Sequence, residues 1–216
     1  KGEKFTTLDD KEHDLTTENL LIADPEKGIA LAGVMGGLNT EINDDTQDVL
    51  IEAAYFNPTN IRRTSKRLNQ STDASYRFER GCDPDIVDWA SRRAAQLIIE
   101  TAGGELAEGV VDAYPNPVEK KTITLRHEKV NQLLGIELTN EEIDNHLKSL
   151  ELGNPAPGQF EIPTYRVDLK GEIDLIEEVV RLYGVDKIPA TEPRGAHGSN
   201  DYDNVHDQIA EARRVL

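Results

Sequence analysis

Three groupings of side chains in this chain are spaced for chemistry. Asp168, Asp174, Glu177 and Glu178 form the first. On a helix, positions 174, 177 and 178 stand at i, i+3 and i+4 and share one face, and Asp168 just ahead of it can close on the same point. Packed carboxylates repel unless a cation lies among them, and an all-oxygen ligand set suits Mg2+. The same acids also suit the first turn of a helix, where negative charge complements the dipole. The second grouping places Arg62, Arg63, Lys66, Arg67, Arg77 and Arg80, six of the 24 basic residues, within 19 positions. Clustered arginines can grip phosphate with two parallel hydrogen bonds, or they can pair with nearby acids such as Glu79 and Asp83. The third is Gly33-Val34-Met35-Gly36-Gly37, three glycines in five residues. Such a run lets backbone approach a ligand closely or turn through positive φ, so it reads as a nucleotide loop or as a plain tight turn.

The elements that must carry these groups are legible from periodicity and turn residues. Leu20–Ala23, Ile29–Val34 and Val49–Phe56 read as short strands, punctuated by Asp24-Pro25, Gly36-Gly37 and Asn43-Asp44-Asp45. Asn57-Pro58 sets a capping residue before a proline at the first helical position, predicting a helix through Leu68. Asp83-Pro84 predicts another, with Ile86, Trp89, Ala90, Ala94, Leu97 and Ile98 at helical spacing, Trp89 in the core and Gly103-Gly104 as the stop. Residues 114–121 read as a linker. A second unit follows: a strand over Ile123–Leu125, a short helix Val130–Leu134 closed by Gly135, and a helix opened by a Thr139/Glu142 capping box with Ile143 and Leu150 facing inward. Phe160–Ile162 reads as a strand, and 172–183 as an acidic amphipathic helix with Ile173, Ile176, Val179, Val180 and Tyr183 as its apolar stripe. Short helices with a hairpin in about 70 residues suggest a winged-helix-like module. Beyond Pro193 the composition becomes that of a linker, and 203–216 starts another helix.

Composition narrows the options. A chain of 216 residues holds one to two domains. With 41 acidic against 24 basic residues the net charge is −17, which argues against broad nonspecific binding of nucleic acid while leaving room for a local basic site. No apolar run approaches the roughly 18 residues of a membrane span, and no basic-then-apolar leader opens the chain. The single Cys82 excludes an internal disulfide framework and multi-cysteine zinc sites, and points to a reducing, cytoplasmic compartment. Phosphate-loop, dinucleotide and nucleophile-elbow motifs are missing. The five histidines are scattered without metal-ligand spacing, and His13 reads as a solvated surface residue. The chain opens on lysine and its one methionine is Met35, as expected of a piece of a longer protein.

Four stretches together carry a resemblance. Gly33–Gly37, Val49–Phe56, Ser71-Thr-Asp-Ala-Ser-Tyr-Arg-Phe-Glu-Arg-Gly81 and Glu177-Glu-Val-Val-Arg-Leu-Tyr-Gly184, in this order and spacing, resemble the bacterial phenylalanyl-tRNA synthetase beta subunit from about Thr7 to Pro189. The resemblance implies an α+β fold: a mixed-sheet tRNA-editing domain, present in part over residues 1–117, then a winged-helix-like domain over 118–190. Residues 191–216 would be a linker and the start of a catalytic-like module. It further implies an editing pocket for tyrosine mischarged on phenylalanine tRNA. Gly33 and Gly36 would be its close-approach glycines, Glu52 the acid recognising the tyrosine hydroxyl, and Thr72 and Ala74 its lining. Asp168, Asp174, Glu177 and Glu178 fall on the family's magnesium ligands, near the alpha subunit. A site built to hydrogen-bond a hydroxyl separates substrates by roughly 10⁴–10⁵, so a carboxylate at Glu52 suits the task. With no Ser–His pair, hydrolysis would rest on a positioned water. By the same resemblance the parent enzyme uses ATP, which this chain does not bind, assembles as two alpha and two beta chains, and receives the tRNA acceptor end. The family's editing domain begins upstream of Lys1, where a histidine contributes to its pocket, so the chain alone is expected to deacylate little. The rival reading is a non-enzymatic RNA-binding or assembly adaptor, with the arginines on RNA backbone and the glycines as turns.

Overall fold

A computed structural model describes residues 2–190 and 201–215. The chain is α+β, in two units. In the first, β1 (Lys4–Thr6) pairs antiparallel with β2 (Glu12–Asp14), and β3 (Leu21–Ala23), β4 (Gly28–Leu31) and β5 (Met35–Gly36) form a second antiparallel sheet in that order. The mixed sheet expected of this unit takes the form of these two small antiparallel sheets. The glycine run is a tight turn: the Val34 N–H donates to the Leu31 carbonyl at 2.9 Å, and Met35 returns alongside Leu31.

Helix α1 (Pro58–Leu68) begins where Asn57 precedes Pro58, and the Asn57 side chain accepts from the Thr59 and Asn60 N–H groups. A helix that periodicity did not reveal, α2 (Asp73–Phe78), starts at a Thr72/Ser75 capping box; six residues are too few to show a stripe. Phe5, Leu15, Leu31, Val34 and Ile61 make the buried core, with Met35, Phe56 and Phe78 packed against it. His13 is buried, not solvated: it sits opposite Phe5 in the β1–β2 register and alternates inward with it.

Two expectations fail here. Val49–Phe56 forms no strand, and Leu50 is 92% exposed. A strand is stabilised by ladder bonds and cross-strand side-chain pairs, and among the described residues no strand is paired with this segment to supply them. Helix α3 (Val87–Ala102) does form and stops at Gly103. Trp89, however, is 62% exposed, Leu97 and Ile98 are exposed as well, and Ala95 is the helix's one buried residue.

The second unit closes on itself. β6 (Lys121–Thr124), β8 (Gln159–Ile162) and β7 (Gly153–Ala156) form an antiparallel sheet in the order β6-β8-β7. Against it pack α4 (His127–Leu134), α5 (Asn140–Lys148) and α6 (Glu172–Tyr183), and the Thr139/Glu142 capping box is in place. Twelve buried residues make one core, among them Phe160, Val130, Ile143, Leu147, Leu175 and Val179. The stripe of α6 is rotated from the expected one: Ile173 is exposed and Leu175 is buried. Strand β7 runs through Asn154-Pro155, where Pro155 on an edge strand forfeits no ladder bond. The start of α3 is tied to this unit through the Thr164 hydroxyl, 2.6 Å from the Asp83 carboxylate. Helix α7 (Asp201–Val215) closes the described chain; the expected linker over 191–200 lies outside the described residues.

Candidate functional site

The glycine turn and the start of α2 are held together by one short bond. The Thr72 hydroxyl donates to the Val34 carbonyl at 2.7 Å while accepting from the Ser75 N–H at 3.1 Å. The same side chain therefore caps a helix and fastens its first turn, which includes Ala74, to the glycine turn. Gly33 has φ +64°, and a Cβ there would stand 2.9 Å from both Phe56 and Ile61. The space above it is filled by those two side chains, and Phe56 in turn meets Phe78 edge-to-face at 5.0 Å. At Gly36 a Cβ would meet the tip of Leu8 at 3.0 Å, whereas at Gly37 it would meet the Ile29 carbonyl at 2.6 Å. Gly37, which the sequence did not single out, is thus sterically the most constrained of the three.

Beneath the turn lies a polar network with no motif to announce it. The fully buried Thr7 donates to Asp9 at 2.6 Å and lies 3.2 Å from His13 Nε2. Gln70, also buried, donates to Asp9 at 2.8 Å. Lys11, with the Thr7 and Gln70 donors, holds the Asp9 carboxyl well below the usual carboxylate range. Three residues from Thr7 to Asp9 thereby join β1 to the end of α1, and the signal that could have found them is only the alternation of Phe5, Thr7 and His13.

Glu52 lies in the unpaired stretch four residues before Phe56. Its side chain is exposed and has no hydrogen-bond or ion-pair partner among the described residues. The neighbouring chain nonetheless removes enough water to push its carboxyl pKa up. The acid is therefore reachable from solvent, on the stretch that leads into Phe56.

The acidic quartet is organised around an arginine. Arg166 forks onto Asp168 at 3.0 and 2.6 Å and reaches Glu178 at 2.9 Å, and Arg181 takes the other Glu178 oxygen. Asp174 accepts from the Lys170 and Gly171 N–H groups at 2.7 and 2.8 Å, so it caps α6. Glu177 is exposed on the helix. The hydrogen bonds from Arg166 hold Asp168 below the ordinary carboxylate range; at Glu178 burial pushes the other way, and the two arginines outweigh it. Among the described residues no three carboxylate, imidazole or thiol groups are gathered as a metal's ligands. So arranged, the four acids do not fit a magnesium ion: guanidinium already occupies Asp168 and Glu178, backbone N–H groups occupy Asp174, and Glu177 stands apart.

The six-cation cluster separates into two kinds. Arg67 donates to Thr16, to Asn19 at 3.0 Å and to the Asp14 carbonyl at 3.2 Å. Arg80 lies 3.5 Å over the Tyr76 ring and pairs with Glu79 at 3.0 Å, and Arg77 reaches the Asp73 carbonyl at 3.4 Å. Arg62, Arg63 and Lys66 are exposed and their side chains have no such partner among the described residues.

Comparison with known proteins places these units in families. Residues 1–103 match the B3/4 domain and residues 123–185 match the tRNA synthetase B5 domain. Among curated proteins, the chain is 50% identical over 219 residues to the phenylalanine–tRNA ligase beta subunit of Geobacter sulfurreducens, covering all of this chain and 27% of that protein. It is 50% identical over 197 residues to the Geobacter metallireducens protein of the same name, covering 89% of this chain and 25% of that one. Over 192 residues it is 50% identical to the Salinibacter ruber beta subunit, covering 87% and 23%. The chain spans about a quarter of the length of the curated relatives it matches.

Proposed function

Because the chain belongs to the family of phenylalanine–tRNA ligase beta subunits through its B3/4 and B5 domains, we propose that its first unit serves post-transfer editing, the hydrolysis of tyrosine mischarged on phenylalanine tRNA. Supporting this is the Thr72–Val34 bond, which fastens the start of α2, and with it Thr72 and Ala74, to the glycine turn. An apolar methyl at Ala74 suits the lining of a site for an aromatic ring. Glu52 then supplies the acceptor for the one oxygen that tyrosine has and phenylalanine lacks. Hydrolysis proceeds by a water positioned by polar groups about the ester, without a covalent intermediate. In the whole protein, two alpha and two beta chains join phenylalanine to its tRNA at the expense of ATP in the cytoplasm, and this chain contributes the proofreading segment and a face toward the alpha subunit. The domain assignment carried forward is editing over 1–117 and a winged-helix-like unit over 118–190.

Replacing Glu52 with Ala tests the reading in the whole beta subunit assembled with its alpha partner. The expected result is lost preference for tyrosyl- over phenylalanyl-tRNA in deacylation, by up to the roughly 10⁴-fold that a hydrogen-bonded hydroxyl can supply, with RNA affinity retained. Unchanged hydrolysis would instead favour the adaptor reading. Magnesium at the acidic quartet is proposed only for a state in which Arg166 has released Asp168 and Glu178. Added Mg2+ should therefore raise Tm in Arg166→Gln and leave the parent chain unmoved; an equal response in both would sink that idea.

A further inference from the structure

The exposed side of α1 carries a charge arrangement that the fold does not use. Pro58–Leu68 holds four cations and no acid, in a chain whose net charge is −17. Arg62 and Lys66, and likewise Arg63 and Arg67, are i, i+4 neighbours of like charge, which destabilises an isolated helix. Several arginines elsewhere find carboxylates (Arg80 with Glu79, Arg92 with Asp88, Arg126 with Glu172, Arg166 with Asp168, Arg181 with Glu178), while Arg77 and Arg93 bond a carbonyl and an amide oxygen. Arg62, Arg63 and Lys66 form no ion pair or side-chain hydrogen bond among the described residues. Lys66 in the last turn gains from the helix dipole, but Arg62 and Arg63, in the middle of the helix, do not. Arg63 and Lys66 lie opposite Ile61, Thr64 and Ser65, the residues that α1 buries, with Arg62 at the edge of the exposed side, and Ile61 is the side chain packed above Gly33. The unpaired cations are therefore about one helix diameter, roughly 10 Å, from the glycine turn.

We propose that Arg62, Arg63 and Lys66 form a phosphate-binding face for the RNA backbone, holding the nucleic acid whose aminoacyl end enters the pocket on the other side of the same helix. The proposal rests on the editing reading for the identity of its RNA, and charge complementarity selects the occupant. A polyanion cancels the like-charge repulsion along the helix, and three cations on one face can neutralise successive phosphates even in an acidic protein, because local potential decides the contact.

The test titrates the chain as it stands with a deacylated tRNA transcript at several salt concentrations, so that binding is read without hydrolysis. The triple variant Arg62→Gln, Arg63→Gln, Lys66→Gln should lower the slope of log affinity against log salt by about 2–3, at roughly 0.7–0.9 per phosphate contact. Over a fourfold rise in salt the parent should lose about twenty- to forty-fold more affinity than this variant. Arg62→Lys with Arg63→Lys keeps the charge and should keep the slope. Arg92→Gln with Arg93→Gln, which removes two exposed cations from α3, should leave binding unchanged, and circular dichroism should show all variants equally helical. The proposal is overturned if the parent does not bind the transcript, if the triple variant keeps its slope, or if the α3 variant loses as much. It is also overturned if polyglutamate displaces the RNA at equal charge, which would make an acidic polypeptide the partner. None of these outcomes touches Glu52, whose variant tests the pocket separately.

Discussion

The second unit buries twelve core residues around Phe160, whereas the first buries five and leaves Leu50, Trp89, Leu106 and Val110 in contact with solvent. Both obey the same local rules. Thr139 caps α5 through a capping box and Thr72 caps α2 the same way. What separates them is whether each apolar face has a neighbour: α6 lays Leu175, Ile176 and Val179 on the β6-β8-β7 core, while among the described residues α3 buries only Ala95. Amphipathic spacing thus declares a face and does not guarantee its burial. The unit with the closed core is also the one where charge is resolved internally, through Arg166 and Arg126. The unit with the open apolar surface carries the unpaired cations and the exposed acid proposed for function. Stability and binding capacity are distributed to opposite ends of the chain.

The largest effect should come from breaking the closed core. Phe160→Ala should cost about 3–5 kcal/mol in urea unfolding of the second unit, whereas Trp89→Ala on α3 should change stability by no more than about 0.5 kcal/mol. Comparable costs at both positions would show that α3 is covered in solution. Next in size, Arg166→Gln leaves the Glu178 carboxylate, whose side chain is 11% exposed, with Arg181 alone. A loss of about 1.5–3 kcal/mol is expected from a hydrogen-bonded charged pair, read from the same denaturation curves. In the first unit, Gly33→Ala should cost about 1–2 kcal/mol for forcing a side chain through positive φ, before its approach to Phe56 and Ile61 is counted. Gly36→Ala should cost much less, since only the tip of Leu8 must move.

The smallest effects distinguish the units by sign. Glu172, hydrogen-bonded by the Arg126 guanidinium and backbone, has its pKa lowered from 4.5 to about 2. Its stabilisation is complete above pH 4.5 and is lost as pH falls toward 2. An exposed pair of this kind contributes about 0.2–1 kcal/mol, and Glu172→Gln should flatten the acid limb of the second unit's stability by that amount. Glu52 runs the other way: its raised pKa favours the protonated acid in the fold, so its contribution is present below the ordinary carboxylate range and lost as pH rises through the folded value. Glu52→Gln should therefore leave the first unit at least as stable at neutral pH, in thermal unfolding followed across pH.

Sequence reading reached most of the second unit because its signals are local. The Thr139 cap, the Gly135 stop and the helical periodicity of 172–183 each specify conformation within a few residues, although the buried stripe of α6 is rotated from the expected one. It also located α1 through Asn57-Pro58, while leaving the glycine run open between a nucleotide loop and the tight turn that the structure shows. It failed where a partner decides. Val49–Phe56 has strand propensity without a neighbouring strand, His13 is polar yet paired inward with Thr7, and Trp89 has helical spacing without a surface to fill. For the candidate site, the four motif stretches led to Gly33, Gly36, Glu52, Thr72 and Ala74. The tight steric surroundings of Gly37, and Gln70 with the Thr7–Asp9 network, came only with the coordinates, because they act across segments distant in the chain.

By itself the sequence determined which segments turn, cap and coil, since backbone conformation and end-capping are settled by residues a few positions apart. Tertiary structure alone decided which faces are dry, that Thr72 fastens α2 to the glycine turn, that Arg166 is the cation among the acids, and which three of six cations remain unpaired. Burial and charge pairing depend on distances through space between residues up to tens of positions apart, and neither periodicity nor composition encodes those distances.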